Sequence, residues 1–376
     1  MVALFYIVFI FITAYALEDL LKRNAGIEFS VKLDRKTAEA DEIIELKSTI
    51  TNSGRIPLNY IQVTEQLPTG NLKLHSSDLP TEKIYDLDFY GYKPEDSVSA
   101  MYHMYMRPMS AHTVTRQVSF GSRGRYVFHG AVISRGDFLG IDEITEQFDT
   151  YVEAVILPRR AEPVTLPDLM SGLIGDYSVR RFIHEDPVLT IGYREYTGRE
   201  PMKAISWAQT ARMGQLIVKK YDYTTDLTVS VILNTECDSH GSRVKTSSQI
   251  QNIEYAISLT RTVCEYLDER RIPYSYTTNA AIYGGRRIRL SMRSGFGTDH
   301  LDAVLENLGR TGYEITERFA DTISGIHENR FSNTAFVIIT AERTADFDLF
   351  TSHLKNQLRC LVLDASELIK EDNSHA

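Results

Sequence analysis

Cysteine and tryptophan are scarce in this chain: three cysteines, Cys237, Cys264 and Cys360, and a single tryptophan, Trp207, in 376 residues. An odd number of widely separated cysteines argues against a disulfide framework and a zinc site, and suits a reducing compartment. Signatures of nucleotide hydrolysis and acyl transfer are also lacking. There is no Gly-x-x-x-x-Gly-Lys-Ser/Thr phosphate loop, no His-Glu-x-x-His and no Gly-x-Ser-x-Gly. The ten histidines, among them His184, His240, His300 and His327, are scattered without ligand spacing. No basic arm or aromatic-interleaved basic stripe occurs, and the net charge is −9, which sets nucleic acid aside as a partner.

What is present begins with an apolar amino terminus. No charged residue occurs from Met1 to Leu17, and Glu18 and Asp19 follow. The run is slightly short of the roughly 20 residues a spanning helix needs. Ala14-x-Ala16 fits a signal-peptide cleavage pattern, but the positive region that should precede it is missing. Lys22, Arg23, Lys32, Arg35 and Lys36 all follow the apolar run. By the positive-inside rule this asymmetry predicts a retained single-pass anchor in the cell membrane, with the body of the protein on the cytoplasmic side.

Beyond residue 24 the pattern becomes short runs of two-residue alternation. Ile27, Phe29, Val31 and Leu33 form one, and Ile44, Leu46, Ser48 and Ile50 another, each bounded by turn residues such as Asn52-Ser53-Gly54 and Pro68-Thr69-Gly70. Repeated strands with no helical period predict an antiparallel β-sandwich over residues 25–160. Residues 161–224 form a connector, in which Pro201 suits a first helical turn and Ala204, Ile205, Ala208 and Ala211 recur on one helical face with Trp207 at its edge. Over residues 225–370 apolar runs such as Leu227–Leu233 and Ala335–Thr340 alternate with amphipathic stretches. This predicts an open α/β sheet of Rossmann type with helices on both sides.

The segment Ile191 to Tyr221 concentrates Arg194, Arg199, Lys203, Arg212, Lys219 and Lys220 around Trp207 in an otherwise acidic chain. Such a cluster either pairs internally with Glu185, Asp186, Glu195 and Glu200 around a buried tryptophan, or docks an acidic partner; internal pairing is the expectation. The series Arg194, Tyr196, Gly198, Glu200, Pro201, Met202, Lys203, Ile205, Trp207, Ala211 and Arg212 resembles the signature of the domain-of-unknown-function 58 (DUF-58) proteins. Arg199-Glu200 departs from the Gly-Asp that many members carry at the turn. Arg123-Gly124-Arg125-Tyr126 and Asp137-Phe138-Leu139-Gly140 are similar to two further family turns. The resemblance implies an amino-terminal membrane segment, a von Willebrand factor A-like carboxyl-terminal domain and a MoxR-type AAA+ ATPase as partner. It assigns no activity, so the chain is expected to be a non-enzymatic scaffold in protein assembly or maturation, with Arg194, Tyr196, Lys203, Trp207 and Arg212 as its partner-binding or domain-locking residues.

A von Willebrand A-like domain also implies a divalent-ion site of hard oxygen ligands suited to Mg²⁺. The corresponding loop here reads Asn234-Thr235-Glu236-Cys237-Asp238-Ser239, with later elements at Gly297-Thr298-Asp299 and Thr340-Ala341-Glu342. The degenerate ligand set would be Asn234, Glu236, Asp238 and Thr298. A metal-dependent binding protein or hydrolase built on that set is the alternative function. Gly284-Gly285-Arg286-Arg287 is expected to be a hairpin turn.

Overall fold

The computed structural model describes residues 2–375 apart from 24–25, 80–82, 86–96, 137–142, 182–189, 199–201, 222–227, 239–244, 285–290, 329–333, 346, 350 and 353–359. Asp137 to Gly140, Glu185, Asp186, Arg199, Glu200, Pro201, Ser239 and Gly285 to Arg287 therefore lie outside the described residues. The described chain is mostly β and divides into two compact units, one of residues 1–159 with 305–310 and one of residues 160–304 with 311–376.

The first unit opens with helix α1 (Val2–Arg23), followed by β1 (Ile27–Leu33), β2 (Thr37–Ala38), β3 (Ile44–Asn52), β4 (Leu58–Pro68) and β5 (Leu72–Ser77). It continues through β6 (Lys83–Tyr85), β7 (Ser97–Met106), β8 (Ser110–Phe120), β9 (Gly124–Gly136) and β10 (Glu143–Ile156). One sheet has the order β1-β3-β8-β5 and the other β2-β10-β9-β4-β7-β6. All these pairings are antiparallel except that of the short β2 with β10. Period-two patterning accounts for the arrangement, since alternate residues of each strand face a common core. Ile44, Leu46, Ile50, Val114, Val118 and Phe120 from the first sheet share one apolar cluster with Ile61, Val63, Tyr102, Phe128 and Ile133 from the second.

That core also contains charge. Arg116 on β8 and Glu65 on β4 are fully buried, and the guanidinium meets the carboxylate in two parallel bonds, Nη1 to Oε2 at 3.0 Å and Nη2 to Oε1 at 3.2 Å. Ser48 donates to Glu65 at 2.7 Å and Tyr102 at 2.5 Å, and the guanidinium lies 5.4 Å from the Tyr102 ring centre. Burial, reinforced by the Glu65 charge, pushes the Tyr102 hydroxyl well above its ordinary value and keeps it a donor. With partners on both oxygens, the buried pair is compensated.

The second unit begins with α2 (Leu166–Arg181) and β11 (Thr190–Glu195), then α3 (Trp207–Met213) and β12 (Ile217–Tyr221). Next come β13 (Thr228–Asn234), α4 (Ser247–Glu269), β14 (Tyr274–Thr278), β15 (Ala280–Ile282) and β16 (Ser291–Gly295). It ends with α5 (Thr298–Arg310), whose residues 305–310 belong to the first unit, then β17 (Thr311–Ile315), α6 (Phe319–Glu328), β18 (Thr334–Thr340), β19 (Cys360–Asp364) and α7 (Ala365–His375). Its main sheet has the order β16-β14-β13-β18-β19, while β11-β12 and β15-β17 form two-stranded ribbons. Thr246 starts α4 with a capping box, accepting from Gln249 N while Gln249 accepts from Thr246 N.

Two expectations are corrected here. No helix among the described residues is long and apolar enough to cross a membrane, so the single-pass transmembrane anchor, the cell-membrane location and the orientation derived from it do not hold. The physical reason is length. The uncharged part of α1, residues 2–17, rises about 24 Å at ~1.5 Å per residue, short of the ~30 Å hydrocarbon core, and the helix continues into Glu18, Asp19, Lys22 and Arg23.

The expected fold class, a transmembrane helix with one sandwich and a von Willebrand A-like, Rossmann-type domain, gives way to a mostly β chain with several sheets, one of them a mixed α/β sheet. In that sheet β13, β14, β18 and β19 are parallel but β16 runs antiparallel to β14. No helix stands between β14 and β16 among the described residues. A chain that returns without a crossover helix re-enters the sheet antiparallel.

Candidate functional sites

Two places gather the residues that the sequence singles out. The first is the ribbon β11-β12 with the short helix between its strands. Arg194 pairs with Val218 across the ribbon, and Tyr196 N donates to Leu216 O at 2.9 Å. A single 3-10 turn at Met202–Ala204 leads to Ile205, which bridges to Val218, and to Ser206, whose N–H donates to Ile217 O at 2.8 Å. Helix α3 then starts at Trp207 and stops at Gly214, whose left-handed backbone (φ 68°) lets its N–H return to Thr210 O. The Thr210 hydroxyl accepts from Ile217 N at 3.1 Å and ties the helix to β12.

This arrangement has a very small interior, made of Ala204, Ile205 and Val218 with Tyr196 packed against them. Trp207 is 62% exposed, Met202 70%, Met213 63%, Tyr193 51% and Leu216 44%. Arg194, Lys203 and Arg212 are exposed as well. Among the described residues no ion pair reaches Lys203 or Arg212, and Glu195 accepts from Gln215 Nε2 at 2.9 Å. Trp207 is therefore not buried as expected, while pairing of the basic residues with Glu185, Asp186 and Glu200 falls outside the described residues. Of the five motif residues, only Tyr196 turns toward a core.

The second place is the carboxyl edge of the mixed sheet. Between β13 and β18 the chain order reverses, and ligands of open α/β sheets settle in the crevice outside such a switch point. Asn234, at the end of β13, is buried and fully engaged. Its Oδ1 accepts from Asn279 Nδ2 at 2.7 Å and from Glu236 N at 3.1 Å, and its Nδ2 donates to Thr340 Oγ1 at 3.1 Å. Glu236 Oε2 accepts from Phe319 N at 3.0 Å, at the start of α6, where the helix dipole favours a carboxylate. Burial pushes the Cys237 thiol up to about 11; Lys245 pulls it down, and Glu342, Asp238 and Glu236 raise it further.

Of the expected metal ligands, Asn234, Glu236 and Asp238 are brought to one edge, but Thr298 is not. Gly297 N donates to Asp268 at the far end of α4, and the neighbouring His300 contacts Tyr274 O at the start of β14. Thr298 thus lies at the opposite edge of the sheet, about 13 Å away along β14 at ~3.3 Å per residue step. The residue that sequence reasoning missed is Lys245, just before the cap of α4. Its side chain is only 3% exposed, and its Nζ lies 3.9 Å from Asp238 Oδ2. A lysine in a polar loop carries no signal of burial in the sequence.

Comparison with known proteins assigns no family. No family model matches the chain, and no curated protein matches it. The DUF-58, von Willebrand A-like and MoxR terms thus gain no support, and they do not stand as descriptions of the chain. Among solved structures, a cohesin module of a Clostridium perfringens family 33 glycoside hydrolase is similar at 11% identity and TM-score 0.26, over 35% of this chain and 98% of its own. The CARDB domain of a Pyrococcus furiosus protein in complex with di-metal ions is similar at 9% identity and TM-score 0.22, over 35% of this chain and 89% of its own. A Bordetella pertussis ApaA protein is similar at 12% identity and TM-score 0.22, over 35% and 94%. Likeness at this level carries neither fold nor function to this chain.

Proposed function

We propose that the chain is a non-enzymatic interaction protein that docks an acidic partner on the face formed by β11, α3 and β12. The observation that carries this reading is the exposure of Trp207 among other apolar side chains, with Arg194, Lys203 and Arg212 exposed on the same small arrangement. Tryptophan, tyrosine, methionine and arginine are the side chains enriched at the centres of interfaces, and Trp, Tyr and Arg dominate their hot spots. An open apolar surface rimmed mainly by positive charge is costly to leave uncovered and favours a partner of the opposite sign. The partner we propose is a MoxR-type AAA+ ATPase and the role that of a scaffold in protein assembly or maturation, both resting on the motif's resemblance to DUF-58 proteins alone.

The metal-dependent alternative is weakened because Thr298 is remote from Asn234, Glu236 and Asp238, and because Asn234 and one oxygen of Glu236 are already bonded within the protein. The test is calorimetric titration of the purified chain with a MoxR-type ATPase, with and without ATP. Saturable binding that Trp207→Ala and Arg212→Glu each weaken at least tenfold supports the reading. Binding that is absent, or indifferent to both variants, overturns it.

A further inference from the structure

The ribbon β11-β12 has one covered edge and one open edge. On the covered side, β12 meets the stretch before α3 through the Ile205–Val218 bridge and the bond from Ser206 N to Ile217 O at 2.8 Å. On the other side, no strand besides β12 pairs with β11 among the described residues. One bond fixes which backbone groups face outward. Tyr196 N donates to Leu216 O at 2.9 Å, so Tyr196, and with it Arg194 and Gly192 at two-residue steps, turns its N–H and C=O toward β12. Tyr193 and Glu195, between them, turn theirs off the ribbon. The same alternation on β12 sends the Ile217 carbonyl away from β11, where Ser206 takes it. Tyr193 and Glu195 thus hold two donors and two acceptors along the outer edge, with no backbone partner among the described residues.

Such an edge is a template for another strand. Pairing of β11 is regular from Gly192 to Glu195, no proline interrupts it, and a Cβ at Gly192 would meet nothing within 4 Å, so a second backbone has room to approach. The side chains beside the edge decide which strand fits. Half-exposed Tyr193 stands on one face with Lys219 directly across from it on β12, and exposed Arg194 stands on the other. Lys203 and Arg212 are exposed on the same arrangement, against one described acid, Glu195, which accepts from Gln215. Opposite charges across neighbouring strands are stabilising and like charges are not. A strand with Asp or Glu at alternate positions is therefore matched to this edge, and a basic strand is opposed by it.

We propose that the partner enters as an extended acidic segment, which adds to β11 as a further strand and takes its main-chain bonds from Tyr193 and Glu195. The inference rests on the reading of β11, α3 and β12 as a docking face, and it specifies what the partner presents there: strand backbone for affinity, with alternate acidic side chains for selection.

The probe is a capped, fluorescent peptide of about eight residues alternating Val or Thr with Asp or Glu, titrated with the full chain by fluorescence anisotropy. Two forms N-methylated at alternate residues each block one edge of the peptide, and a third form carries Lys for every acid. The expected result is saturable binding of the acidic peptide, weakened at least tenfold by one of the two N-methylation patterns and by the exchange for Lys. On the chain, Tyr193→Pro removes an outward N–H and should bind at least tenfold more weakly than Tyr193→Ala, which removes the ring alone; Glu195→Pro against Glu195→Ala repeats the comparison. Thermal unfolding identifies variants that fold, and the peptide forms test the edge without any substitution in the chain. No saturable binding of the acidic peptide, or equal binding of both N-methylated forms and the parent peptide, would overturn the inference. Its failure is separable from that of the docking face. Binding of a MoxR-type ATPase that depends on Trp207 and Arg212 but is the same in Tyr193→Pro and Tyr193→Ala overturns strand addition alone; peptide binding as expected without ATPase binding overturns the partner and leaves strand addition standing.

Discussion

Arg116 and Arg212 are the same side chain put to opposite uses. Arg116 is buried in the first unit's core, with both terminal guanidinium nitrogens on Glu65 and an aromatic ring beside it. Arg212 lies exposed in the last turn of α3, near the chain's only tryptophan in sequence and with no ion pair among the described residues. The first arginine is compensated inside the protein, so it contributes to holding the two sheets of the first unit in one register. The second meets no acceptor among the described residues. Positive charge within a fold therefore identifies a binding surface only when its partners are known, and here the partners separate the two cases.

The sharpest way to break the contrast is to remove one member of the buried pair. Arg116→Met leaves Glu65 desolvated and unpaired, and should cost about 3–5 kcal/mol in urea unfolding. Replacing both residues by apolar side chains of similar volume should recover most of it. A cost below ~1 kcal/mol for the single variant would mean that the pair is not compensating as described. Trp207→Ala is the converse: partner affinity should fall by about 2 kcal/mol or more, with stability unchanged within ~0.5 kcal/mol. A large loss of stability instead would return Trp207 to a packing role.

Glu153 is the intermediate case. Burial raises its carboxyl, but hydrogen bonds from Arg310 at 2.5 Å and Arg125 at 2.8 Å outweigh that and lower it to about 2. A carboxyl held below its unfolded value stabilises the fold above that value, and the contribution is lost as pH falls through ~4.5 toward 2. This loss should be on the order of 2 kcal/mol after solvent screening, and Glu153→Gln should flatten that part of the pH–stability curve. The smallest effect is expected at Lys203→Ala, within ~0.5 kcal/mol in stability, because among the described residues it has no ion pair to lose.

Much of the first unit was legible because alternation maps directly onto burial. Ile44, Leu46, Ser48 and Ile50, read as one strand face, are all buried on β3. The same alternation puts Arg116 between Val114 and Val118 on an inward face, yet nothing local announces it, since its acceptance there depends on Glu65, 51 positions away. The expectation of one helical face across the motif fails for a different reason. Ala204, Ile205, Ala208 and Ala211 fit one helical face only if the helix is continuous, and the structure breaks it at Ser206. Ala204 and Ile205 are buried, while Ala208 and Ala211 are exposed with the rest of α3's outer surface.

At the sheet edge, Asn234, Glu236 and Asp238 lie near one another because they are neighbours in sequence, and Thr298 lies elsewhere, because edge assignment depends on strand direction; no group of side chains that could hold a metal ion occurs among the described residues. The apolar start of α1 was read as spanning from its lack of charge, and its length did not suffice.

Because Trp207 is unique in the sequence, incorporation of 5-fluorotryptophan gives the chain one fluorine resonance, placed on the face proposed to dock a partner. The most direct measurement is that ¹⁹F spectrum during titration with an unlabelled MoxR-type ATPase. A solvent-exposed resonance in the free chain that shifts and broadens saturably, and does so less in Arg212→Glu, is the expected result. A resonance already shielded from solvent in the free chain, or one that stays unchanged through the titration, would contradict the account.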